Sequence, residues 1–569
     1  MASQAQSSAW KPRFAIPEIA RLLFQPFEVK GQQFVHTDWP VTYLAAMHEV
    51  TAATFIVASI APLLFPALDE HGGFNYGAEV GIASICMIMG SFNVGLAWRY
   101  WWLSSARSNF LDAPPTLASR FKKFTVIMVA LSSNMALCFW LIHNKTSPTM
   151  PAILPVWRVR SIETLIFCLY AISLYGAYLG NLLEAEDGSR SESVKTKANV
   201  FAGMYGLTVL IVGCADIYYL LMDIYNEDVA GPQLYRPVAH VFWAACLLLA
   251  YSFSPPEQPL ETTIDIVPAS EVDKHDESIG QSPRNCNCPS CFEYFTFVKL
   301  LNAPIQSRII YPRNFIGAIH EVFGLTLLIT WGLTLSIPTL RPQVFEHPAK
   351  KIIGSFNPCF GWDYFPASWI SVFCCAFNVY LSYRYAWLAG LRRALLQSAG
   401  HTTWASTFST STAYALGLSS NIWLCLWILG PNPADPPGLD LDGPEIFWWS
   451  VHTGIFVFQA SAEYLTYLSL LLSVHCSTRS ETVTTMQKVF AAVYGYCCVY
   501  LVFVYGYNLA FHEVDSGMPA LGSGFWTQAA DVVWMACVIC ISSFLPQEPP
   551  LREKLDVPQI RSPLDQEPE

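Results

Sequence analysis

The chain reads as an all-α integral membrane protein of about twelve transmembrane helices, arranged as two parallel six-helix repeats. Three observations carry this. First, 53% of its 569 residues are hydrophobic and only 13% are charged, about half the ~25% charged content of soluble domains. Its mean hydropathy is +0.34. Second, the apolar residues fall in blocks of about 20, the length that crosses a ~30 Å hydrocarbon layer as a helix. Backbone amides inside lipid must bond within their own segment, which makes such blocks helices, and no series of short alternating barrel strands is visible. Third, the blocks occur as two sets whose polar residues recur in step.

The first set lies at roughly 41–65, 79–103, 124–142, 162–183, 198–222 and 238–253. The second lies at roughly 315–337, 367–391, 408–429, 446–474, 489–509 and 529–545. The chain therefore divides into an N-terminal segment (1–40), a first repeat (41–255), an acidic cysteine-containing linker with an interfacial segment (256–310), a second repeat (311–546) and a tail (547–569). The residues preceding the first span contain Lys11, Arg13, Arg21 and Lys30 and no compact apolar core of a signal peptide, so the first span is expected to act as its own insertion signal. The stretch from Ser254 to about Arg284, rich in Pro, Glu, Asp and Ser, reads as an unstructured linker.

The pairing of the two sets runs helix by helix. His48-Glu49-Val50 matches His320-Glu321-Val322. Asn93, Arg99-Tyr100 and Trp102 match Asn378, Arg384-Tyr385 and Trp387. Leu131-Ser132-Ser133-Asn134 matches Leu418-Ser419-Ser420-Asn421. Thr164, Tyr175 and Tyr178 match Thr453, Tyr464 and Tyr467, and Trp243 and Cys246 match Trp534 and Cys537. The offset drifts slowly, from 272 (320 − 48) through 285 (378 − 93) and 289 (453 − 164) to 291 (534 − 243). An even number of spans per unit makes the repeats parallel, with both termini and the linker on one side.

Loops on that side carry Arg107, Arg120, Lys122, Lys123, Arg190, Lys195, Lys197, Arg392, Arg393, Arg479 and Lys488, whereas the opposite loops hold Lys145, Arg158, Arg341, Lys350 and Lys351. The positive-inside rule thus places both termini in the cytosol. The single sequon, Asn144-Lys145-Thr146, falls on the opposite side and makes Asn144 a glycosylation candidate.

Ionisable groups within spans need partners, because each costs about 2.5–3.5 kcal/mol at mid-bilayer. His48, Glu49, His320 and Glu321 are candidates, either as interfacial pairs or as a proton relay. Span four opens with Glu163 and span six with His240, while the matching positions hold His452 and Asp531. This exchange of acid and imidazole leads to the expectation that spans four and six of each unit touch through an acid–histidine hydrogen bond. In the linker, Cys286, Cys288 and Cys291 are a weak candidate for acylation or for metal, since a fourth ligand is not evident. No Walker loop, nucleophile elbow or His-Glu-x-x-His helix occurs, so no catalytic residue, metal or cofactor is assigned. The net charge of −11 argues against nucleic acid as a partner.

In its second half especially, the chain resembles the DRAM/Frag/Sfk family of six-span membrane proteins. The same unit forms the N-terminal domain of the Cwh-type GPI-lipid remodelling protein. The resemblance rests on a long first loop ending near Phe365-Pro366, on Asn378 with Arg384-Tyr385, on His452-Thr453-Gly454, and on Asp531 ahead of Trp534. The first half departs from it at Glu163 and His240. It implies residence in an endomembrane or the plasma membrane, with membrane lipids and other membrane proteins as partners. The implied role is non-enzymatic, in lipid organisation, GPI-lipid handling or autophagy. A twelve-span secondary transporter with a site between the repeats is the alternative. A third possibility is a lipid-modifying enzyme using the membrane histidines and acids.

Overall fold

A computed structural model describes residues 28–30, 33–64, 76–110, 116–143, 156–185, 192–225, 235–255, 260–267, 307–347, 355–364, 366–400, 403–429, 444–475, 483–511, 524–546 and 551–556, with isolated positions between them. Six long helices lie in the first half: α1 (Pro40–Leu64), α2 (Tyr76–Phe110), α3 (Leu117–His143), α4 (Val156–Glu184), α5 (Glu192–Tyr225) and α6 (Tyr235–Phe253). Six more lie in the second: α7 (Pro312–Ser336), α8 (Ala367–Ser398), α9 (Trp404–Leu429), α10 (Pro444–His475), α11 (Thr485–Phe511) and α12 (Phe525–Cys540). Within α4, α5, α7 and α10 to α12 run six segments long and apolar enough to cross a membrane. Helix α8 exceeds its expected span because a polar turn continues it past the apolar block.

In each half the six helices contact one another in cyclic order, first to second and onward until the sixth closes against the first. Each ring encloses its own aromatic and aliphatic core, one centred on Tyr100, Tyr178, Tyr205 and Trp243, the other on Tyr467, Tyr494, Tyr505 and Trp534. The rings meet through α2 against α9 and α3 against α8, where Met87, Val94 and Leu137 join the second core. Burial runs opposite to that of a soluble protein. His48, Asn93, Ser132, Gln459, Glu463 and Thr466 face inward, while Val200, Met204, Leu207, Leu210 and Ile211 on α5, and Val489, Val493, Val499 and Phe503 on α11, face outward. Outward apolar faces of this extent suit lipid as the surrounding solvent. The chain is membrane-embedded.

One component departs from the all-α expectation. Five short strands, β1 (Glu28–Lys30), β2 (Gln33–Asp38), β3 (Leu260–Ile266), β4 (Ser307–Ile310) and β5 (Leu551–Asp556), form a single antiparallel sheet in the order β1-β2-β3-β5-β4. It takes residues from the N-terminal segment, the linker and the tail, so the linker is structured over Leu260–Ile266. The composition there (Glu261, Asp265) obscured an alternation in which Leu260, Thr262 and Ile264 are buried and their neighbours are not. Each half contributes the strand before its first helix and the strand after its sixth. Strands β2 and β4 each pass through one aromatic residue, Trp39 or Tyr311, to a helix-opening proline, whose fixed φ suits a first helical turn. The buried face of the sheet rests on α7 and α8 through Phe34, Ile264, Ile310 and Leu551.

Candidate functional site

The sheet holds a buried ion network at the junction of the halves. Arg99, near the sheet-side end of α2, donates to Asp38 at 2.9 Å and reaches Glu553 on β5 at 3.7 Å. Arg384, its counterpart on α8, pairs with the same Glu553 at 3.2 Å. Each guanidinium also stacks 4.4 Å over the tryptophan three residues on, Trp102 or Trp387, a cation–π contact. Asp38 additionally accepts from Thr262 at 3.0 Å and Tyr43 at 2.8 Å and lies 3.1 Å from His36. Burial by itself would raise the Asp38 carboxyl, but the Arg99 guanidinium, aided by His36 and Tyr43, holds it well below the usual carboxylate range. A first-half cation therefore shares a second-half acid.

Inside the rings, His48 Nδ1 lies 2.6 Å from the Leu44 carbonyl and His320 Nδ1 lies 2.8 Å from the Ile316 carbonyl. A carbonyl can only accept, so Nδ1 carries the proton and Nε2 of the neutral ring presents a lone pair. In both rings this Nε2 is buried with no hydrogen-bond partner among the described residues. Each imidazole stands edge-on to a tyrosine of the fifth helix, Tyr205 at 5.9 Å and Tyr494 at 6.2 Å between ring centroids. Tyr175 and Tyr464 pack on those tyrosines, each at 5.2 Å. The Tyr178 and Tyr467 hydroxyls donate to the Phe253 and Phe544 carbonyls at 3.2 and 3.1 Å.

Glu463 on α10 stands where the pairing places Leu174 in the first half. It is fully buried, its Oε1 accepts from Gln459 at 2.9 Å, and its Oε2 has no partner among the described residues. The Tyr494 hydroxyl is likewise without a partner among the described residues. His320 stands against Tyr494, and Glu463 is buried within the same half, groups that can accept or pass a proton or hold a hydroxyl-bearing group. Glu463 was missed in the sequence because its match is apolar. Its position in the middle of an apolar block was the available signal.

His240 pairs with Asp216 on α5, at 3.2 Å. Asp531 accepts from Tyr505 on α11 at 2.6 Å and from Asn357 at 3.3 Å. Tyr505 is the match of Asp216, 289 residues on. The sixth helix thus finds its partner on the fifth, and the acid has exchanged places between those two. The fifth and sixth helices are direct ring neighbours, which explains why α5 and α11 supply the partners. His452 is half-buried at the start of α10, and the side chain of Glu163 lies outside the described residues.

Glu321 accepts from Thr296 at 2.8 Å and from Ser542, a buried structural contact, and Glu49 is half-buried. Asn144, Cys286, Cys288 and Cys291 lie outside the described residues. Among the described residues no group of three or more His, Cys, Asp and Glu could hold a metal ion. No family model, no curated protein and no solved structure matches the chain.

Proposed function

We propose that the chain is a twelve-span membrane protein built from two parallel copies of a DRAM/Frag/Sfk-type unit, and that it works without catalysis as a paired scaffold for membrane lipids and membrane partners. On this reading the sheet and both termini face the cytosol of an endomembrane or plasma-membrane protein. Lipid organisation, GPI-lipid handling and autophagy are the processes the resemblance implies.

The observation that carries the scaffold reading is the central β3–β5 pairing. Residues Glu261 to Ile266 of one half run antiparallel to Leu551 to Asp556 of the other, and Arg99 of the first half ties β2 to β5 by pairing with Asp38 and Glu553. Alternating access requires the halves to rock against one another about a central site. A continuous sheet across both halves opposes that motion on its own side. The second core, which takes in Met87, Val94 and Leu137 of the first half, supports the same reading.

Spin labels at exposed positions on the ends of α6 and α12 away from the sheet, Val238→Cys and Phe525→Cys, test this. The exposed Cys214 and Cys540 are first replaced. In liposomes a scaffold gives one narrow distance distribution, unchanged by pH or ion gradients. Two distributions that exchange with a gradient would favour the transporter.

A further inference from the structure

Where the sheet-side ends of α8, α9 and α10 meet, a cleft opens among Tyr385, Arg392, Arg393, Ser409, Ser473 and Glu548. Its origin is visible in the other half. Counted from the paired runs Leu131/Leu418 and Thr164/Thr453, Ser409 and Ser473 stand at the positions of Lys122 and Glu184. In the first half those two side chains fill the space between α3 and α4 with an ion pair of 2.6 Å. Two hydroxymethyl groups in place of a lysine and a glutamate leave that volume unfilled.

The charge left around the cleft is unbalanced. Glu548 binds Arg392 and also accepts the Arg313 backbone N–H at 2.6 Å, so the Arg392–Glu548 pair is neutral. Arg393, half-buried on the cleft wall, has no hydrogen bond or ion pair among the described residues. Among the described residues the cleft thus presents one guanidinium without a counter-charge, with the Ser473 hydroxyl on the same lining. A guanidinium fork matches phosphate oxygens in geometry and charge. Its depth fits as well. Arg393 lies near the end of the 32-residue α8, about 39 Å along the axis from Ala367 and so beyond a ~30 Å hydrocarbon layer, at headgroup level.

We propose that this cleft binds a phosphate group through Arg393 and Ser473, and that lipid headgroups of the adjoining leaflet are its natural carrier. The carrier rests on the membrane-spanning reading above, whereas the anion site does not.

The test uses the full chain in neutral detergent, following thermal unfolding against a short-chain phosphatidic acid, inorganic phosphate and, as control, a short-chain phosphatidylcholine. A saturable rise in Tm with phosphatidic acid is expected, with apparent affinity about tenfold weaker in Arg393→Gln. The double variant Ser409→Lys with Ser473→Glu rebuilds the ion pair of the first half, so it should fold and lose the response. A rise with inorganic phosphate that saturates as strongly as with phosphatidic acid keeps the anion site and assigns a free anion as carrier. No saturable response to either phosphate in the unaltered chain, or a response that both variants retain, overturns the proposal. Alkaline carbonate extraction of the chain from its membranes reports separately on the membrane-spanning reading.

Discussion

Arg99 and Glu553 show how a single residue couples the halves. Glu553 is buried, accepts from the Arg384 guanidinium and forms an ion pair with Arg99 at 3.7 Å, so Glu553→Gln leaves both cations under-compensated. Removing one partner of a buried pair costs about 3–5 kcal/mol, and Glu553→Gln should lower Tm far more than Thr263→Ala on the half-exposed face of β3. Equal Tm values for the two variants would remove the network from the account. Asp38 predicts a pH effect with a definite sign. Its folded carboxyl titrates below its unfolded value, so its stabilisation is fully present above about pH 4 and declines as pH falls further. Between pH 3 and 7, the Tm of the unaltered chain should drop below about pH 4 more steeply than that of Asp38→Asn. Parallel curves would show that Asp38 contributes no pH dependence. Glu463 and the histidine pair were legible to different degrees. His48 and His320 stood out because both copies carry them, while Glu463 has no counterpart and Asp216 hides behind a tyrosine.

Among elements, close helix approaches depend on a few glycines. A Cβ on Gly180 of α4 would sit 2.9 Å from the Lys122 Cα of α3, a backbone atom that no side-chain rotation moves. Gly203 on α5 has nothing within 4 Å of the same added atom. Gly180→Ala should therefore force α3 and α4 apart, at about 1–3 kcal/mol by analogy with overpacked cores, and Gly203→Ala should not. Unfolding of the two variants in detergent decides this, and equal stability would mean the helices separate without cost. Helix positions were readable because each buries a hydrocarbon-length block, a local property. The strands were not, since five short segments acquire their pairing only across separations such as that of Thr262 from Leu555.

For the whole molecule, the sheet makes two rings into one body. Thr263 and Lys554 are register partners at the centre of the β3–β5 pair, so Thr263→Cys with Lys554→Cys should cross-link readily under mild oxidation. If the halves work as a fixed pair, the cross-linked protein should show the same α6–α12 label distances as the reduced form. A shift on cross-linking would mean that the native sheet opens. The helical, membrane-embedded character was legible in the apolar blocks of the sequence. The way the rings join did not follow, because α2, α3, α8 and α9 present ordinary apolar faces whose partners are set by shape.

The amino-acid order alone marked out the long apolar helices and their membrane solvent, since both depend on apolar length along the chain. Tertiary structure decided the partner of each buried charge, the sheet that ties the halves and the cleft beside Arg393. Hydrogen bonds act over about 3 Å, and residues hundreds of positions apart come within that range only once the rings have packed.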